Sequence, residues 1–140
     1  MSTPHTIYNT NMFTIDQIKA AHSNVKSGAD FPQYIQDVKA LGVTSYSQYV
    51  TDGHTIYNGN GHRAEAPAKY DALTIAKTGN GESLKQVLKI HQAGETDYLT
   101  FCSQAAGAGV EKWIVDAQKM TCAYYDLAGN EMIVEVIPGA

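Results

Sequence analysis

His22 and His91 fall in the second half of two separate helix-periodic stretches, at matching places in the chain. Two imidazoles brought together could share a metal ion or pass a proton. No ligand set is completed around either one. The favoured reading is therefore structural: an imidazole near a helix end bonds a free carbonyl and meets the favourable end of the dipole. His54 and His62 bracket a turn-rich strand, and Asp52 is the nearest third ligand, a pattern that exposed hairpin histidines also produce. Cys102 with His91 would make a thiol and a base, but the residues around Cys102 carry no nucleophile signature. Ser-His-Asp order, paired carboxylates and zinc spacing are not developed, and Gly-Asn-Gly at 59–61 and 79–81 is turn chemistry, not a phosphate loop. No catalytic residue, metal or cofactor is assigned.

The aromatic residues carry more. Tyr46, Tyr49, Tyr57, Trp113, Tyr124 and Tyr125 all fall in strand-like segments of a chain with nine tyrosines. Tyr and Trp join a broad apolar face to one polar handle, which suits a binding wall. Tyr49, His54, Trp113 and Tyr125 are the candidate ligand contacts. A core role is the competing expectation for Tyr46, Tyr57, Trp113 and Tyr124, because these four are matched by an internal repeat.

That repeat has an interval of 67 residues. It sets Asp30 on Asp97, Phe31 on Tyr98, Tyr34 on Phe101, Gly42 on Gly109, Tyr46 on Trp113 and Tyr57 on Tyr124. Of the five aromatics between residues 29 and 57, four land on another aromatic. A tandem duplication predicts two like units that share a core about a pseudo-twofold axis, with a cleft at their seam. His22 joins His91 after a two-residue gap, and such an axis could bring the two near one another. Cys102 falls opposite Ile35, which predicts a buried thiol, and Cys122 falls opposite Thr55.

Each unit reads helix, helix, strand, strand, strand, over about 14–67 and about 83–138. In the first, Thr14 with Gln17 makes a capping box, and Ile15, Ile18, His22 and Val25 form the buried stripe. A second helix starts around Asp30-Phe31-Pro32 and stops at Gly42. Strands follow at 43–50, 54–57 and 62–66, with Asp52-Gly53 as a two-residue hairpin turn. In the second unit, helices begin at Glu82 or Ser83 and at Asp97, and strands cover 110–117, 120–125 and 131–137. Tight turns make the strands antiparallel, so the fold class is α+β, an antiparallel sheet with helices packed on one face. Residues 1–11 read as a flexible leader to a single domain at 12–140, and Leu73–Ala76 as an extended piece of the connection. In the last strand Met132, Val134 and Val136 point one way. Glu131, Ile133, Glu135 and Ile137 point the other, a half-polar face expected to be solvated or covered by another chain.

The net charge is −4, and a single Arg stands among scattered lysines. Nucleic-acid binding has no support from that pattern. No run is long enough to span a bilayer, no secretory leader is visible, and two cysteines suit reduced thiols in the cytoplasm.

Several stretches resemble the YdfO-like family of small bacterial and prophage proteins. They are Met12–Ile18, Ser27–Phe31, Leu41–Tyr46, Val50–Thr55, Thr96–Tyr98, Gly109–Trp113 and Met120–Cys122. Members are often labelled "phage envelope protein". The resemblance implies an α+β domain and supplies no catalytic residues. The leading expectation is a non-enzymatic protein that binds a partner or small ligand. The alternatives are a structural homo-oligomer, dimeric or prophage-associated, and an enzyme or metal site using His22 and His91.

Overall fold

A computed structural model describes residues 13–26 and 28–138. The expectation for residues 1–11 lies outside these. Helix α1 (Ile15–His22) opens on the capping box: the Gln17 amide donates to the Thr14 hydroxyl at 3.2 Å, and the Thr14 amide to the Gln17 side chain at 2.9 Å. A 3₁₀ turn (Gly28–Asp30) leads directly into α2 (Phe31–Ala40), whose Pro32 sits in the first turn where its missing N–H is harmless. Helices α3 (Gly81–Gln92) and α4 (Tyr98–Gly107) start on Asn80 and Asp97, whose side chains accept from the Ser83 and Thr100 amides.

Six strands form one antiparallel sheet: β1 (Ser45–Tyr49), β2 (Thr55–Gly59), β3 (His62–Ala66), β4 (Val110–Asp116), β5 (Thr121–Asp126) and β6 (Glu131–Val136). Their spatial order is β3-β2-β1-β4-β5-β6. Each unit is thus a meander, and the first strands of the two units pair at the centre. The β2–β3 turn is Asn60-Gly61, both with positive φ, as a two-residue hairpin requires. The β1–β2 turn is longer than expected. Tyr49 pairs with His54, and Val50 leaves the hairpin because its amide bonds the Glu111 carbonyl of β4. The connection carries no strand at Leu73–Ala76. It is tied down by two bonds between Leu73 and Thr51 and by one each from the Ala76 amide to Ala106 and the Asn80 amide to Ala108.

The four α-helices of the described residues cover one sheet face. Ile18, Tyr34, Ile35 and Val38 from the first unit, and Leu84, Leu88, Phe101 and Cys102 from the second, close over Tyr46, Tyr57, Trp113, Val115 and Tyr124. Each unit contains the same run of rings. His22 meets Tyr34 edge-on at 5.3 Å, Tyr34 lies 6.5 Å from Tyr46, and Tyr46 5.2 Å from Tyr57. His91 stacks on Phe101 at 4.3 Å, Phe101 lies 5.6 Å from Trp113, and Trp113 5.9 Å from Tyr124. The duplication holds in contacts as well as in sequence.

The last strand corrects its expectation. Pairing of Cys122 with Glu135 and of Tyr124 with Ile133 turns Ile133, Glu135 and Ile137 toward the helices. Glu135 is tolerated there because the Tyr124 hydroxyl and the Gln92 amide both donate to it. Val134 and Val136, 48% and 77% exposed, face away from the helices. A bulge between Tyr124 and Tyr125 moves Glu131 onto that outer face as well.

Candidate functional site on the helix-free sheet face

The seam between the units holds no cleft. β1 and β4 are hydrogen-bonded from Ser45 opposite Asp116 to Tyr49 opposite Lys112, which closes it. A cleft of about 590 Å³ does open elsewhere, between the Thr78–Glu82 segment, Lys85 and the start of β6.

The register instead assembles a row across the helix-free face. Tyr49 on β1 stands opposite Lys112 on β4, Lys112 opposite Tyr125 on β5, and Tyr125 opposite Glu131 on β6. His54, the residue before β2, adjoins Tyr49, its ring stacked on the tyrosine at 4.3 Å and 5°. Lys112 Nζ sits 5.6 Å above the Tyr49 ring centroid, a cation–π contact that crosses the seam. Asp52 fixes the histidine: its Oδ1 lies 2.6 Å from His54 Nδ1 and accepts the His54 amide at 3.0 Å. The Asp52 carboxyl is held below its ordinary value, first by that amide and then by the imidazole. Lys112 reaches this face because a bulge at Glu111 shifts the alternation of β4.

Three of the four candidate contacts, Tyr49, His54 and Tyr125, therefore lie in one half-buried strip. Trp113 does not. Only 8% exposed, it packs between Phe101 and Tyr124 beneath the helices, as its repeat match requires. Beside the strip run Ile56, Ser47, Ile114, Ala123 and Val134, one per strand from β2 to β6. A solvated antiparallel face is ordinarily polar, and in this row every side chain but Ser47 is apolar.

The histidine pair is not brought together. α1 packs over edge strand β3, and α3 reaches edge strand β6 through Gln92 and Glu135. Five strand spacings, about 24 Å, separate those edges. The axis passes between β1 and β4, so the outer helices lie farthest from it. His91 Nδ1 is bonded by the carbonyl and hydroxyl of Thr96. His54 precedes β2, and His62, first in β3, stands opposite Gly59 at the far end of β2, where it bonds the Phe13 carbonyl at 2.9 Å. Among the described residues no three His, Cys, Asp or Glu side chains are grouped to hold a metal ion. Cys102 and Cys122 are both buried free thiols. Among the described residues no helix is long and apolar enough to cross a membrane.

One buried polar group has no counterpart in the second unit. Gln48 donates to the Tyr98 hydroxyl at 2.8 Å and accepts from Thr55 at 2.7 Å, at positions where the repeat has Val115 and Cys122.

Fold and site together define a duplicated α+β protein in which, among the described residues, one sheet face is covered by helices and the other is left bare. Residues 19–136 match the family described as "Protein of unknown function (DUF1398)", and the chain belongs to that family. A curated relative is the uncharacterized protein YcgX of Escherichia coli (strain K12). It is 23% identical over 112 residues, which cover 79% of this chain and 84% of YcgX.

Proposed function

We propose that the protein is a non-enzymatic binding module, and that the strip Tyr49–His54–Lys112–Tyr125 on its helix-free sheet face is the contact surface for a small ligand or a protein partner. One observation carries this reading: an uncovered sheet face that joins an apolar row to a continuous line of two tyrosines, a braced histidine and a lysine. Aromatic groups with a polar handle beside a desolvated centre are the usual makeup of a recognition surface. The enzyme reading has less behind it, since His22 and His91 each serve the ring stack of their own unit.

A thermal-shift screen against metabolites, metal ions and candidate partners tests the proposal, because a molecule that binds only the folded form raises its melting temperature. The expected result is a stabilising molecule whose effect disappears in Tyr49→Ala and Tyr125→Ala while their unliganded melting temperatures stay near wild type. A loss of many degrees in the unliganded variants would make the strip structural and overturn the reading.

A further inference from the structure

We infer that the occupant of the helix-free face is a second copy of this chain, packed sheet against sheet about a twofold axis that runs across the strands; this rests on the reading of that face as a contact surface. The argument starts from β4. Its outward side chains are Lys112, Ile114 and Asp116, a positive group, an apolar group and a negative group at even spacing. Laid antiparallel on itself, this series is self-complementary. Lys112 of each copy meets Asp116 of the other, and Ile114 meets Ile114. A twofold axis across the strands imposes that pairing, because it sets each strand over its own copy and reverses its direction.

The neighbouring strands agree. The same axis, level with Ile114, places the row over itself, so Ile56, Ser47, Ala123 and Val134 each meet their own equivalents, with charge at both ends of β4. Depletion of charge at the core with polar groups around it is the anatomy of a stable interface. Glu65 would meet its own copy at the sheet edge, but Arg63 already lies 3.6 Å from it and offsets the repulsion.

The area is sufficient. Six strands at about 4.8 Å and five or six residues at about 3.4 Å give roughly 550 Å² of flat face per copy. The two copies together bury about 1,100 Å² before side-chain relief is counted, above the roughly 1,000 Å² that a specific interface clears.

The test is the mass of the full chain in solution, read by light scattering or sedimentation over a dilution series. Wild type is expected at twice the 15.2 kDa of one chain. Lys112→Asp alone and Asp116→Lys alone each set like charges together, and each is expected to weaken the dimer by roughly thirtyfold or more. Mixed in equal amounts, the two variants restore both charge pairs and must form a heterodimer; failure to do so overturns this geometry. Asp116 also holds the Gln118 and Lys119 amides. Should Asp116→Lys unfold, Ile114→Lys replaces it, and a dimeric Ile114→Lys overturns the proposal. A wild type that stays monomeric at every concentration, or a dimer indifferent to all these changes, does so too. A monomer that still loses ligand-induced stabilisation on Tyr49→Ala would sink the self-pairing and leave the contact strip standing.

Discussion

Ser47 and Ile114 stand opposite each other across the β1–β4 pair, and they are also each other's counterparts in the internal repeat, 67 residues apart. A residue that pairs with its own equivalent marks the pseudo-twofold axis, which passes through the sheet at that point. It relates Tyr46 to Trp113 and Tyr57 to Tyr124, and it keeps all four helices on one side. The second unit departs from the first mainly at its last turn. Four residues, 127–130, replace the two at Asn60-Gly61, so the interval grows from 67 in β1 and β2 to 69 between His62 and Glu131.

The two kinds of aromatic should separate cleanly in a denaturation series. Trp113→Ala empties a site between Phe101 and Tyr124 and should cost about 3–5 kcal/mol. Tyr49→Ala and Tyr125→Ala remove half-buried rings from the bare face and should each cost about 1 kcal/mol or less. Urea midpoints of the three variants, measured in parallel, decide it.

The buried Gln48–Thr55 pair makes a second prediction. Thr55→Val leaves the Gln48 carbonyl oxygen without its donor in a fully buried position, at a cost of about 1–3 kcal/mol. Gln48→Val with Thr55→Val imitates the Val115–Cys122 pair of the second unit. The double variant should be less destabilised than the sum of its two single changes, since both unsatisfied partners vanish together. A double-mutant cycle in urea gives the coupling directly.

Glycine substitutions should expose the tight crossing of the connection. Gly109 and Gly129 have nearly the same φ, +87° and +84°, so alanine at either pays the left-handed cost of about 1–2 kcal/mol. At Gly109 an added Cβ would also lie 2.6 Å from the Gly79 Cα and the Thr78 carbonyl, whereas at Gly129 it meets open space. Gly109→Ala should therefore melt well below Gly129→Ala. Equal melting temperatures would show that the connection yields.

Both thiols should be inert in the folded protein. Burial pushes the Cys122 thiol up to about 12, and burial also raises Cys102 despite the nearby hydroxyls of Tyr70 and Tyr98. A thiol reagent should label neither at neutral pH, and both at once when denaturant is added. Fast labelling of one alone would place it in a locally opening segment.

Stability should fall in two stages on acidification. Burial, with a smaller part from Lys69, lowers the His22 value, so the unfolded chain takes up a proton first. The stability this group contributes is complete above its unfolded value of 6.5 and is lost as the pH falls through its lower folded one. Asp52, held below its ordinary 3.8 by His54, gives the second loss, which begins near that value and runs on through its folded value. In a plot of melting temperature against pH, His22→Gln should remove the first stage, and Asp52→Asn should shrink the second, which Asp97 and Asp126, also held low by hydrogen bonds, share.

Much of the architecture was written locally. The capping box at Thr14, the terminating glycines, the six alternating strands and the aromatic matches each depend on neighbours a few residues away, or on a copy 67 residues on. Cys102 was placed in the core by its match to Ile35 alone. What local pattern could not supply was the partner of each strand. No short-range pattern marks Lys112, because its place in the strip depends on β4 lying beside β1. Likewise the alternation of β6 was legible only from Ile133 on, because the bulge reverses Glu131 and Met132, and which side met the helices depended on Glu135 finding donors in Tyr124 and Gln92, one of them 43 residues away. The same long-range pairing parted His22 from His91 and closed the seam where a cleft was expected. The chain's own order determines its elements and their repetition, because helix and strand period, caps and turns are short-range. Strand adjacency and facing are settled only when distant segments bond, and that step put Tyr49, His54, Lys112 and Tyr125 in line.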